Sequence, residues 1–178
     1  MSHAQHEQSA ASITARCAII TLSDTRTAET DKSGSLIKDL LASAGHTIAD
    51  YAILPDDPSR LEPHLLSLLS NPAIDAILTN GGTGISRRDQ TIAVVEKHLT
   101  QPLPGFGELF RMLSYDQIGP AAMLSRAVGG IARSNAQGNA QGKPLFAMPG
   151  STKAVELAMT KLILPELKHL LFELRKQP

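Results

Sequence analysis

Cys17-Ala18-Ile19-Ile20-Thr21-Leu22 is a short, unbroken run of apolar and β-branched residues that stops at Ser23-Asp24. A strand that is buried on both faces has this pattern, because it presents no polar side to solvent. Strands of this kind belong to parallel sheets that helices cover on both faces. The run therefore predicts a buried strand of an α/β protein.

The segments after this run alternate between helical and strand patterns. Apolar residues at helical spacing run from Ser33-Gly34 to Gly45, a suitable C-cap, and residues 46–54 predict a second strand. A second helix is predicted over residues 57–72, and the apolar run over residues 73–78 predicts a third strand. This βαβαβ order requires a parallel sheet with right-handed crossovers.

The pattern changes in the second half of the chain. Short helices are predicted over residues 91–99, over residues 107–113 and around residues 121–124. Residues 127–132 and 145–148 predict two short strands, which the tandem repeat Asn135–Gly142 separates as a turn or hairpin tip without function. A last helix begins at Ser151, and Pro165 bends or restarts it.

Composition excludes several classes of protein. The chain has 178 residues with 17 Lys and Arg against 17 Asp and Glu, and 42% of the residues are hydrophobic. This length predicts one domain with a sizeable core, and the low aromatic content favours helices on a sheet over an aromatic-rich barrel. The formal net charge of zero and the absence of Trp argue against nucleic acid as a partner.

The cysteine count and the first residues indicate the compartment. Cys17 is the only cysteine, which excludes an internal disulfide and multi-cysteine metal sites and predicts an inert packing role. Residues 1–14 lack the basic and apolar regions of a signal peptide, and no window is long and apolar enough for a membrane span. We therefore expect a cytoplasmic protein with a flexible tail over residues 1–14, a single domain over residues 15–178 and no membrane partner.

Loops at the carboxyl ends of the predicted strands are the expected place for a ligand. Residues 21–25, 80–89 and 149–151 carry small and polar side chains that suit an anion, and they should open on one edge of the sheet. Gly81, Gly82 and Gly84 would let the backbone approach a phosphate, although a tight turn explains them equally well. Nearby hydroxyls and arginines, which would add hydrogen bonds and positive charge, are Thr79, Thr83, Ser86, Arg87 and Arg88.

Acidic residues after two neighbouring strands have two explanations. Asp89 precedes the helix predicted at Thr91, and Asp56 or Asp57 precedes the helix at Pro58, so each could be a helix cap. Alternatively, one acid from each loop could hold Mg²⁺ between phosphates, because that ion takes one or two carboxylates plus phosphate oxygens and water.

Two further clusters also leave alternatives open. Pro104-Gly-Phe-Gly-Glu108 suits either a ligand-binding loop or a helix start in which the Glu108 charge interacts favourably with the helix dipole. Arg126, after Ser125, suits either a phosphate or an acidic partner. The six histidines lack metal-ligand spacing, so we assign no metal to them.

Considered together, five segments resemble the MoaB/MogA family of molybdenum-cofactor biosynthesis proteins. They are Thr79-Asn-Gly-Gly-Thr-Gly84, Arg87-Arg-Asp-Gln-Thr91, Pro104-Gly-Phe-Gly-Glu-Leu-Phe-Arg111, Ala122-Met-Leu-Ser-Arg-Ala127 and Met148-Pro-Gly-Ser-Thr-Lys-Ala154. Their order and spacing match the family from about Ala15 to the C-terminus. Phe110–Ser114 and Phe146–Lys153 are closer to the B-type branch, MoaB, than to the adenylyltransferase branch. The repeat at 135–142 departs from the family's usual short hairpin.

The resemblance implies a three-layer α/β/α domain with a mostly parallel sheet and a short antiparallel hairpin near the C-terminal part. It implies a homotrimer or homohexamer that binds molybdopterin and ATP, with other proteins of molybdenum-cofactor biosynthesis as further partners. In the family's adenylyltransferases, Mg-ATP donates AMP to the terminal phosphate of molybdopterin. The acids used in that reaction fall on Asp56 and Asp89, which we predict to be catalytic and to hold Mg²⁺.

The other predicted site residues would bind phosphate, nucleotide or pterin. They are Ser23, Thr79, Gly81, Gly82, Thr83, Gly84, Arg88, Gly105, Gly107, Glu108, Ser125, Arg126, Pro149, Gly150 and Ser151. A non-catalytic B-type protein that only binds molybdopterin is the main alternative. A hydrolase or nucleotide-modifying relative on the same scaffold is a third possibility, because fold does not fix function.

Overall fold

Six strands form one sheet in the computed structural model, which describes residues 12–134 and 141–176. The strands are β1 (Arg16–Leu22), β2 (Thr47–Leu54), β3 (Ala76–Asn80), β4 (Leu99–Pro102), β5 (Val128–Ala132) and β6 (Lys143–Met148). Their spatial order is β2-β1-β3-β6-β5-β4. The first four of these run parallel, whereas β5 is antiparallel to both of its neighbours. The predicted mostly parallel sheet with an antiparallel pair is therefore confirmed.

Helices cover both faces of this sheet. They are α1 (Lys32–Ser43), α2 (Pro58–Ser70), α3 (Thr91–His98), α4 (Pro104–Ile118), a 3₁₀ helix (Gly119–Leu124), α5 (Thr152–Ala158), a π-helical turn (Met159–Ile163) and α6 (Leu164–Arg175). One core cluster joins the first face to helices that include α1 and α4, through Leu41 and Phe110. A second cluster joins the opposite face to α2 and α3, through Leu65 and Val95. These clusters confirm the predicted three-layer α/β/α arrangement.

Several predicted boundaries were wrong for local reasons. The third strand occupies Ala76–Asn80 instead of 73–78, because the Ile74 amide bonds to the Asn71 carbonyl in a turn. Helix α4 begins at Pro104, before the predicted residue 107, because proline fits the first turn of a helix. Strand β4 was not predicted, since Leu-Thr-Gln-Pro is short, mostly exposed and has no apolar alternation.

Two predicted segments fall wholly or partly outside the described residues. Residues 1–11 of the predicted tail lie there, and so do residues 135–140 of the predicted hairpin tip. The flanking strands β5 and β6 pair antiparallel from Val128 with Ala147 to Ala132 with Lys143.

Candidate functional site

The loops singled out from the sequence meet at one edge of the sheet. The parallel strands β1, β3 and β6 end there at Leu22, Asn80 and Met148. Strand β5 is antiparallel, so it begins at this edge and brings Ser125 and Arg126 to it. Strand β4 ends on the same side, which places the start of α4 near these loops.

The loops after β3 and β6 come into direct backbone contact at Gly81. Its φ of 93° is in the left-handed region, and a Cβ there would overlap the carbonyl oxygen of Leu22. The Gly81 amide donates to the Met148 carbonyl over 3.1 Å. A Cβ built on Gly150 would lie 3.0 Å from the Gly81 Cα. The loop after β3 and the loop after β6 therefore depend on glycine to pack this closely.

One carboxylate oxygen of Asp56 is buried beside the glycine loop. Its Oδ1 accepts no hydrogen bond from any described residue. That oxygen and the Thr91 hydroxyl occupy the space that a Cβ on Gly82 would fill. Burial raises the pKa of Asp56, and repulsion from Asp24 and Asp89 raises it further, while Arg88 opposes the rise.

Asp89 lies against Gly84 of the glycine loop and has different hydrogen bonds from those of Asp56. Its Oδ2 accepts the Ser86 amide over 2.8 Å, and hydrogen bonding by Ser86 lowers the pKa of Asp89. Asp89 is not the cap of α3, whose N-cap residue Gln90 makes no side-chain capping bond. For α2 the cap is Asp57, which accepts the Ser59 amide over 2.8 Å, so Asp56 is not a cap either.

Arg126 and Arg88 make different contacts at the loop after β3. Arg126 donates to the carbonyl oxygens of Thr83, Gly84 and Asp89, so it braces the loop from within the structure. Arg88 pairs with Asp24 over 2.8 Å. Asp24 also accepts the Asp56 amide over 3.2 Å.

A second polar cluster, the Asp31 network, lies beside these loops. Asp31 caps α1 through the Gly34 amide and accepts hydrogen bonds from the hydroxyls of Thr21 and Tyr51, over 2.6 Å and 2.7 Å. Asn80 donates to Thr21 over 2.9 Å. Burial alone would raise the pKa of Asp31, but the hydrogen bonds that it accepts bring that pKa below its ordinary value.

Sequence reasoning missed Asp24 and the Asp31 network. The available signal was the position of Asp31, which stands just before the predicted start of α1 and is a favoured N-cap residue. The partners of Asp31 come from two strands and a loop, and no local pattern specifies them.

The remaining predicted residues differ in how they face the site. Thr79 is fully buried, and its hydroxyl has no partner among the described residues. Ser23 accepts the amides of Thr25 and Arg26 within its own loop. Gly107 permits close packing against the Ala127 carbonyl, whereas Gly105 has open space around it. Glu108 is exposed on α4. Thr83, on the same edge, is buried. Three further residues there are half-buried: Ser125, Pro149 and Gly150. Ser151 caps α5 by accepting the Ala154 amide.

Two features are absent from residues 12–134 and 141–176. Within these ranges, no group of three or more His, Cys, Asp or Glu side chains is arranged to hold a metal ion. Nor does any helix there have the length and apolar character needed to cross a membrane.

Comparison with known proteins identifies the family. Residues 18–169 match the model of a probable molybdopterin binding domain. The molybdenum cofactor biosynthesis protein B of Bacillus anthracis is 53% identical over 164 residues, which are 91% of this chain and 92% of that protein.

Solved structures agree with this match. A crystal structure of molybdenum cofactor biosynthesis protein B has a TM-score of 0.85 and 51% identity, over 93% of this chain and 98% of that one. The tungsten cofactor synthesizing protein MoaB from Pyrococcus furiosus has a TM-score of 0.77 and 34% identity, over 92% of this chain and 98% of that one. The chain therefore belongs to the MoaB/MogA family of molybdenum-cofactor biosynthesis proteins.

Proposed function

We propose that this protein adenylylates molybdopterin with Mg-ATP. The observation that carries the proposal is the buried Asp56 Oδ1, which has no hydrogen-bond partner among the described residues and lies against the Gly82 backbone. A buried polar atom without a partner is costly unless a ligand satisfies it. Asp89, in the neighbouring loop, is near enough for its charge to repel that of Asp56, so a ligand between them would meet two carboxylates.

This pair of acids fits Mg²⁺ bound together with a nucleotide. Mg²⁺ takes one or two carboxylates and completes its shell with phosphate oxygens and water. Asp56 and Asp89 would hold the ion, which when bound neutralises the charge of the triphosphate. We assign the Gly81–Gly84 loop to that triphosphate, because the backbone amides of such loops bind phosphate groups.

The transfer asks the chain mainly to position two anions. A terminal phosphate oxygen of molybdopterin attacks the α-phosphorus of ATP, the new P–O bond forms, and the bond to the β-phosphate oxygen breaks. Pyrophosphate leaves with the electron pair of that bond. We assign Ser125 and Pro149–Ser151 to the pterin phosphate, with Arg88 beside the triphosphate and Arg126 bracing the loop between them.

Asp56→Asn and Asp89→Asn test the roles of the two acids. Purified protein is incubated with molybdopterin, ATP and Mg²⁺, and chromatography quantifies adenylylated pterin and pyrophosphate. Each substitution should lower the transfer rate at least about 100-fold, because it removes charge from the transition-state site. Asp57→Asn is the matched control, since an asparagine still caps α2 and should leave the rate unchanged.

Other outcomes of this assay favour the alternatives. Tight molybdopterin binding without product in the unmodified protein would support a non-catalytic B-type binding protein. ATP hydrolysis that molybdopterin does not affect would indicate a hydrolase on the same scaffold.

We also propose that the chain acts as a homo-oligomer, a trimer or a hexamer. Met112 and Ile118 of α4, together with Met123 and Leu124 of the 3₁₀ helix, are between 50% and 78% exposed in the single chain. Exposed apolar groups that lie close together are typical of subunit contacts. Light scattering should give a mass of at least three chains, and Met123→Glu should lower it, whereas a monomeric unmodified protein would contradict the proposal.

A further inference from the structure

Arg26 joins the Asp31 network to the loop after β6. Its Nη1 donates to Asp31 Oδ1 over 3.2 Å and to the Ser33 hydroxyl, and its Nη2 donates to the Gly150 carbonyl over 2.8 Å. The side chain is 29% exposed, whereas that of Asp31 is fully buried. One guanidinium group therefore connects a buried carboxylate to the backbone of a surface loop.

The same buried network also holds the loop after β3. Asp31 accepts from Thr21, Thr21 accepts from the Asn80 amide, and the Ser33 hydroxyl donates to the Asn80 side-chain oxygen over 3.0 Å. Asn80 directly precedes Gly81, whose Cα lies against Gly150. Both loops are thus anchored to Asp31 at the point where they touch.

We propose that Arg26 is a positioning residue that fixes the Pro149–Ser151 loop for the phosphate of the pterin substrate. This inference rests on the proposed function, which assigns that loop to molybdopterin and the Gly81–Gly84 loop to ATP. Arg26 does not touch either substrate in this scheme. It acts through the Gly150 carbonyl, and its planar fork lets it reach the loop and Asp31 at once.

Loss of the Arg26 bridge should weaken the binding of molybdopterin and leave the binding of ATP nearly unchanged. Without Arg26, the Gly150 carbonyl loses its charged donor, but Gly81 keeps its bond to the Met148 carbonyl and Asn80 keeps its bond to Thr21. The molybdopterin loop is then held less firmly, while the ATP loop retains its supports. A residue needed only for stability would not separate the two affinities.

Arg16 offers a matched control at the opposite edge of the sheet. Its guanidinium also joins a carboxylate to a backbone carbonyl, with Asp75 at 2.9 Å from Nε and the Pro72 carbonyl at 2.9 Å from Nη2. Arg16 begins β1, so it lies far along the strand from the loops that follow Leu22. Arg16→Gln therefore removes a bridge of the same chemistry without altering the proposed site.

The experiment measures dissociation constants for molybdopterin and for Mg-ATP by equilibrium dialysis, in the full chain, Arg26→Gln, Arg26→Lys and Arg16→Gln. Arg26→Gln should raise the dissociation constant of molybdopterin about tenfold, as expected for one lost charged hydrogen bond. The dissociation constant of Mg-ATP should stay within about twofold of its value in the unmodified protein. Arg26→Lys keeps the charge beside Asp31 but lacks the fork, so it should fold and show the same selective loss. Arg16→Gln should change neither constant.

Three results would overturn the inference. The first is an unchanged affinity of Arg26→Gln for molybdopterin, and the second is an equal loss of affinity for molybdopterin and Mg-ATP. The third is full molybdopterin affinity in Arg26→Lys, and each of the three contradicts a bridging role. A wild-type protein that binds no molybdopterin would overturn the proposed function and this inference together, so the two failures are distinguishable.

Discussion

Asp31 and Asp56 are two carboxylates near the same edge of the sheet with opposite surroundings. Asp31 accepts hydrogen bonds from hydroxyls, an amide and a guanidinium, and its pKa is lowered. Asp56 has a buried oxygen that accepts no hydrogen bond from the described residues, and its pKa is raised. Removing a buried charge whose partners remain is strongly destabilising, whereas an acceptor that lacks a partner already carries a cost in the folded state and is available to a ligand. The difference agrees with a structural role for Asp31 and with the catalytic role that we propose for Asp56.

Asp31→Asn should produce the largest change in stability. The substitution removes the charge that faces Arg26 and places an amide among groups that donate to Asp31, so several buried donors lose their acceptor. We expect the free energy of unfolding to fall by about 3 kcal/mol, as measured by urea denaturation followed by circular dichroism. A loss below about 0.5 kcal/mol, the range of ordinary surface substitutions, would contradict the structural role of Asp31.

Asp56→Asn should have a small effect of the opposite sign. The folded protein raises the pKa of Asp56, so the ionised form is less stable in the folded state than in the unfolded state at neutral pH. Removing the charge should increase the free energy of unfolding by less than about 1 kcal/mol, because partial exposure screens the penalty. Asp57→Asn, which keeps a capping side chain, is again the control.

The pH dependence of this gain provides a sharper version of the same comparison. Below the pKa of aspartate in the unfolded chain, about 4, Asp56 is protonated in both states and the folded protein carries no penalty for its charge. That penalty develops as pH rises through the pKa of Asp56 in the folded protein. The advantage of Asp56→Asn over the unmodified protein should therefore be absent at low pH and grow upward from about pH 4. An advantage that shrinks with rising pH would show that the sign assigned to Asp56 is wrong.

Local sequence patterns locate Asp56 and Asp89 at the carboxyl edge of the sheet, but they do not reveal the groups that surround these acids. Asp56 and Asp89 are candidates because they follow strands whose apolar runs are visible in the sequence, and because the family resemblance falls on them. The roles of Asp24 and Asp31 depend on partners such as Tyr51 and Asn80, which only the folded sheet brings near. Strand β4 escaped prediction for a related reason, since its pairing with β5, and not its own composition, makes it a strand.

The two adjacent acids that precede α2 illustrate the same limit. Asp56 and Asp57 are adjacent in sequence and chemically identical, and the pattern before Pro58 allowed either to be the cap. The structure gives the cap to Asp57 and leaves the Asp56 oxygen against Gly82. That choice depends on the conformation of the loop after β3, which is distant in sequence.

The most direct test combines stability and AMP transfer in Asp56→Asn. We predict that the variant is at least as stable as the unmodified protein at pH 7 and transfers AMP to molybdopterin at least about 100-fold more slowly. Transfer at the unmodified rate, or a loss of stability comparable to that of Asp31→Asn, would contradict the assignment of Asp56 to chemistry.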